Sequence, residues 1–81
     1  MTENEIAKII VDIAYHIHVR LGPGLLESVY EAVLSHELKK REISFSRQQT
    51  IPLIYDDLIV EDAFRADLII EDKVIIEIKS L

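Results

Sequence analysis

Residues 70–81 read IEDKVIIEIKSL, and the fold turns on how this stretch is paired. Residues 74–80 are rich in Val and Ile, the composition of a half-buried strand. Side chains two apart along a strand share a face. Val74, Ile76 and Ile78 therefore line one face, and Ile75, Glu77 and Lys79 the other. A strand shaped by burial alone would not carry a glutamate and a lysine at its centre, unless that face is wet, paired or chemical.

The preceding run, residues 64–70, is the natural partner. Ala66, Leu68 and Ile70 share one of its faces, and Arg65, Asp67 and Ile69 the other. A three-residue loop of Glu71, Asp72 and Lys73 sets Ile70 opposite Val74 and Asp67 opposite Glu77. One face of the hairpin is then apolar throughout: Ala66, Leu68, Ile70, Val74, Ile76 and Ile78. The other gathers Asp67, Glu77 and Lys79 among Ile69 and Ile75. A two-residue loop would instead set Asp67 opposite Ile76 unless a bulge restored the register. Two carboxylates on facing strands, with a lysine one step along, suit a hard cation such as Mg²⁺, which takes carboxylate oxygens, water and substrate phosphate. Such an ion polarises a phosphoryl oxygen and acidifies a bound water. The lysine would neutralise developing charge or orient the water. Taken alone, D-x9-E-x-K is a weak pattern, and a cross-strand ion pair on a solvated face is the better reading of it.

The N-terminal half has helical spacing. Thr2 with Glu5 three residues later forms a capping box. Ile6, Ile9, Ile10, Ile13, Ile17 and Leu21 then recur at helical intervals, which predicts a helix over residues 3–21. The LGPG run at residues 21–24 ends it. A second helix is expected over residues 25–41, with Leu26, Val29, Tyr30, Val33 and Leu38 as its apolar stripe. Lys39, Lys40 and Arg41 sit in its last turn, where cations favour the helix dipole. Residues 43–46 and 49–55 read as one strand, kinked or on an edge at Pro52. Asp56 and Asp57 make a turn, followed by a short extended piece and the hairpin. The order is ααβββ: an α+β fold with two helices packed on a three-stranded antiparallel meander.

Eighty-one residues allow one small domain. There is no cysteine, hence no disulfide framework and no zinc–thiolate site. The acidic, polar N-terminus is no signal peptide, and no apolar run approaches the ~20 residues needed to span a bilayer. A cytoplasmic protein without a membrane partner is the expectation. Fifteen acids against nine bases give a formal charge of −6, which argues against a protein that coats nucleic acid non-specifically. It argues less against an enzyme that needs acids to hold a metal. No phosphate-cradling glycine loop and no nucleophile–His–Asp arrangement is present.

The motifs also occur together in a particular order. G-x-x-E-x-x-Y stands at Gly24, Glu27 and Tyr30, preceded by His18 and followed by RQQTIPLIY, FRADLIIED and VIIEIKS. This combination resembles the GxxExxY family of the PD-(D/E)XK nuclease superfamily over nearly the whole chain. The resemblance implies a metal-binding Asp on one strand, an E-x-K on the next, and a helical glutamate completing the acidic site. Carried over by position, Asp67, Glu77 and Lys79 match the D…ExK motif, and Glu27 matches the helical glutamate. The main-chain carbonyl of Ile78, between the E and the K, would be a further metal ligand. Mg²⁺ or Mn²⁺ is the implied cofactor, and hydrolysis of nucleic-acid phosphodiesters the implied activity. Family members continue with a helix and a further strand, so residues 1–81 correspond to a partial nuclease-like core, a fragment or a natural short form. The other reading is a non-catalytic interaction module that keeps the nuclease fold.

The remaining polar residues carry weaker signals. Arg65 shares the face of Asp67 and is the best candidate phosphate contact; Arg20 and Arg47 read more simply as solvated charges. His18 is expected to bond structurally to the LGPG turn, and His16 and His36 to be exposed. Two helices cover only one face of a three-stranded sheet, leaving Ile69, Ile75 and the edge of the last strand open. A homodimer, or a protein partner, through that edge or the adjoining helix surface is therefore expected.

Overall fold

The computed structural model describes residues 1–79. Helix α1 spans Glu3–Leu21, and its start is set by the expected box. The Thr2 hydroxyl accepts the Glu5 N–H, and the Glu5 carboxylate accepts the Thr2 N–H, each at 3.2 Å. These bonds hold the Glu5 carboxyl below its ordinary value of 4.5, the bond to the Thr2 backbone contributing most. A depressed carboxyl adds stability that is present above pH 4.5 and lost as pH falls below it. Thr2→Ala removes the hydroxyl that accepts the Glu5 N–H, and loss of an N-cap side chain of this kind costs about 1 kcal/mol. Urea midpoints of variant and wild type at neutral pH check this. At the other end, Gly22 takes a positive φ of 73° and donates its N–H to the His18 carbonyl at 2.8 Å. His18 thus meets the LGPG turn through its backbone.

Helix α2 spans Glu27–Lys40. Its buried residues are Glu31, Leu34, Ser35 and Leu38, whereas Leu26 and Val29 are exposed. The expected stripe is therefore rotated by about one residue toward Glu31 and Ser35. Two polar side chains can lie inward because both are satisfied there. The Ser35 hydroxyl donates to the Glu31 carbonyl at 2.8 Å, and the Glu31 carboxylate is bonded as described below. Arg41 closes the helix end on the Glu37 carboxylate at 2.8 Å, holding the Glu37 carboxyl below its usual value.

Strands β1 (Phe45–Tyr55), β2 (Leu58–Ile70) and β3 (Val74–Ile76) form one antiparallel sheet in that order. β2 is longer than the sequence suggests, since the piece before Phe64 continues the strand. The β1–β2 register shifts between Ile51 and Leu53, with Pro52 on the edge strand, as its missing N–H requires. The last hairpin has the expected three-residue loop: Ile70 faces Val74 and Leu68 faces Ile76. Glu71 and Asp72 adopt left-handed backbone, each at φ 54°, and Lys73 donates its N–H to the Ile70 carbonyl. β3 is shorter than expected: pairing stops at Ile76, and residues 77–79 run on outside the ladder. Ser80 lies outside the described residues.

The core lies between the helices and one sheet face. Ile6, Ile13 and Ile17 of α1 and Leu34 and Leu38 of α2 meet Ile43, Leu68 and Ile70. Val74, Ile76 and Ile78 pack against this cluster half-buried, completing the apolar face read from the alternation. On the opposite face Ile75 is exposed as expected, but Ile69 is buried. No described helix is long and apolar enough to cross a membrane.

Candidate functional site

Asp67 sits near the middle of the sheet, on the strand flanked by both others. Its carboxylate reaches to β3 and accepts the Ile78 N–H at 2.7 Å, beyond the point where backbone pairing stops. This bond substitutes a side-chain acceptor for a ladder carbonyl. It ties the E-x-K segment to the strand carrying the aspartate, as the D…ExK reading needs.

Glu27, Glu77 and Lys79 line one open groove of about 350 Å³, at the β3 edge of the sheet. Its floor is apolar, made by Ile10 and Ala14 of α1, Leu34 of α2 and Ile76 and Ile78. Tyr30 also lines it, three residues along α2 from Glu27. The G-x-x-E-x-x-Y spacing thus turns both side chains to the same groove. Glu27 is in the first turn of α2, where a carboxylate is favoured by the helix dipole. Three of the four residues predicted for the catalytic site share this groove, and the fourth, Asp67, is hydrogen-bonded to the main chain of Ile78, which also lines it. Arg65 lies elsewhere: it is exposed, opposite Thr50 in β1, and makes no ion pair among the described residues.

A second carboxylate is coupled to Asp67 that the sequence reading left out. Glu31 lies one turn beyond Glu27 on α2 and is only 7% exposed. The Arg47 guanidinium donates to one of its oxygens at 2.9 Å, and the Gln48 amide to the other at 2.6 Å. The same Gln48 nitrogen also donates to Asp67 Oδ1 at 3.2 Å. A single amide therefore bridges a helix carboxylate and a strand carboxylate. The backbone of Gln48 is left-handed, at φ 52°, and the ladder omits Gln48 between Arg47↔Leu68 and Gln49↔Ala66. A non-glycine residue pays of order 1 kcal/mol for that conformation, and strain of this kind concentrates at functional sites. The available signal was the i, i+4 spacing of Glu27 and Glu31, which sets two acids on one helix face. Arg47 reads as a solvated charge from sequence; in the fold it is the counter-ion of a buried glutamate.

The donors here are carboxylate and carbonyl oxygens, which suit a hard divalent ion. Each Asp67 oxygen accepts one described bond, and an ionised carboxylate has about four lone-pair sites, so acceptor capacity remains. Among the described residues no three His, Cys, Asp or Glu side chains form a ready-made metal cage.

Two helices packed on a three-stranded antiparallel sheet are consistent with a PD-(D/E)XK-like fold. Residues 4–81 match the model of the PD-(D/E)XK nuclease superfamily, and the chain belongs to that superfamily. Its nucleases generally use divalent metals. No curated protein and no solved structure matches the chain.

Proposed function

We propose that this chain is a divalent-metal-dependent nuclease-like protein of the GxxExxY type, hydrolysing nucleic-acid phosphodiester bonds at the β3 groove. The observation that carries the reading is the Asp67–Ile78 hydrogen bond, which joins Asp67 to a groove lined by Glu27, Glu77 and Lys79. Asp67, Glu77 and the Ile78 carbonyl would hold Mg²⁺ or Mn²⁺, which supplies charge to a phosphoryl oxygen and acidifies water. Glu27 supports the acidic site from α2. The Lys79 ammonium, on the same groove, offsets negative charge as it develops on phosphate and orients the attacking water. Gln48 and Ile78 hold the Asp67 carboxylate in place through their N–H groups. Arg65 is a subsidiary phosphate contact, for a substrate that extends across the sheet.

The test is cleavage of plasmid and single-stranded nucleic acid with and without Mg²⁺. The wild-type chain should cut only with the metal, and Asp67→Ala and Lys79→Ala should each lose the activity. Equal cutting by wild type and both variants would end the assignment.

Two observations favour a second reading, an interaction module that kept the fold without the chemistry. Both Asp67 oxygens already accept protein donors, and the chain is acidic overall. A folded protein that binds neither Mg²⁺ nor Mn²⁺ near neutral pH would decide for it.

A further inference from the structure

β1 and β2 continue past the body of the molecule as a two-stranded arm. The pairs Leu53↔Val60, Ile54↔Ile59 and Tyr55↔Leu58 lead to the Asp56–Asp57 turn. None of these residues belongs to the core. Alternation puts Leu53, Tyr55, Leu58 and Val60 on one face and Ile54 and Ile59 on the other, so the tip is apolar on both sides. Ile54 is 70% exposed and Tyr55 68%. On one face Leu53, Tyr55, Leu58 and Val60 stand together, each between 40% and 68% exposed. Exposed apolar side chains gathered on one face and rimmed by polar residues mark an interaction surface.

The same chain carries a surface that suits this arm. Val11, Tyr15 and Val19 form an exposed stripe at i, i+4 and i+8 on α1, Tyr15 being 65% exposed. Beside the stripe, on the adjoining row of α1, a cleft of about 490 Å³ opens between the helices. Arg20, Lys40 and Arg41 line it with a single acid, Glu37. Lys40 and Arg41 pair with Glu37, and Arg41 also with Asp12, whereas Arg20 makes no ion pair among the described residues; the lining still holds three cations to one acid in a chain whose formal charge is −6, while the arm ends in two aspartates. An apolar, acid-tipped hairpin matches an apolar stripe beside a basic cleft in both shape of contact and sign of charge.

We propose that the arm of one copy docks on the α1–α2 face of a second copy, with Asp56 and Asp57 against Arg20 and Lys40. The exchange is reciprocal, so one two-fold axis closes the assembly. This interface is separate from the β3 edge and does not depend on the nuclease reading.

Light scattering on the eluting chain at micromolar concentration tests it. The wild type should run near twice its 9.3 kDa mass. Ile54→Asp should weaken association by roughly tenfold or more. So should Asp56→Lys with Asp57→Lys, and so should Arg20→Glu with Lys40→Glu. Every substituted residue is exposed, and circular dichroism should report a native fold in each variant. The decisive arm mixes the two charge-reversed proteins. Each arm then meets a cleft of opposite sign, and the mixture should regain the dimer mass. A monomeric wild type, including one that instead partitions onto phosphatidylcholine vesicles, would overturn the proposal. So would a dimer indifferent to these variants, which would point to the β3 edge, or a mixture that fails to associate.

Discussion

Asp67→Asn should lower metal-dependent phosphodiester cleavage by roughly a hundredfold or more, the scale on which removing one site of charge stabilisation slows an enzyme. The substitution keeps volume and leaves one oxygen for the Ile78 N–H, but it removes the negative charge and, with an NH2 in place of the second oxygen, the acceptor for the Gln48 amide. The fold should hold, with a melting midpoint within a few degrees of wild type. Asp67→Ala should do more. It also removes the acceptor of a 2.7 Å bond on which residues 77–79 depend once backbone pairing has stopped at Ile76. Amide exchange at Ile78 should therefore quicken in the alanine variant and stay near wild type in the asparagine variant. An asparagine variant that cuts at the wild-type rate would remove Asp67 from the site.

Leu68, next to Asp67 on β2, should give the opposite pattern. Its side chain points to the other face, is 0% exposed and sits in the core with Ile70, Leu34 and Ile13. Leu68→Ala should cost about 2–5 kcal/mol through lost transfer energy and the cavity left behind. A domain of this length has a total stability on the order of 5–10 kcal/mol. At roughly 4–8 °C per kcal/mol, the midpoint should fall by ~8 °C or more. Below that midpoint, metal affinity and cleavage per folded molecule should be unchanged. Denaturant titration with a parallel activity assay separates the two effects. A loss of under ~1 kcal/mol would mean the core is not seated where Leu68 lies.

The two neighbours show what the sequence reveals. The unbroken apolar run of Ala66, Leu68, Ile70, Val74, Ile76 and Ile78 identifies the apolar face, although Ile69 and Ile75 lie on the other. The parity of the Glu71–Lys73 loop then fixes which residues oppose each other, because a slip of one would turn every side chain over. The helices follow from the Thr2 box and the Gly22 stop. Polar residues inside the fold are harder to read. Glu31 and Ser35 lie on the buried side of α2, since each finds a partner there, and the partners of Glu31 come from a strand sixteen and seventeen residues away. No local pattern announces such a bond. The early end of β3 is illegible for a similar reason: a side chain of β2 takes the N–H that a longer ladder would have used. The apolar tip of the β1–β2 arm fits strand alternation poorly, and the body of this chain does not bury it.

Calorimetric titration of Mn²⁺ into the full chain near neutral pH, repeated on Asp67→Asn, tests the central claim most directly. The account predicts saturable binding of about one ion per chain, weakened by tenfold or more when Asp67 loses its charge. Absence of binding to the folded wild type, or equal binding by the variant, would contradict it.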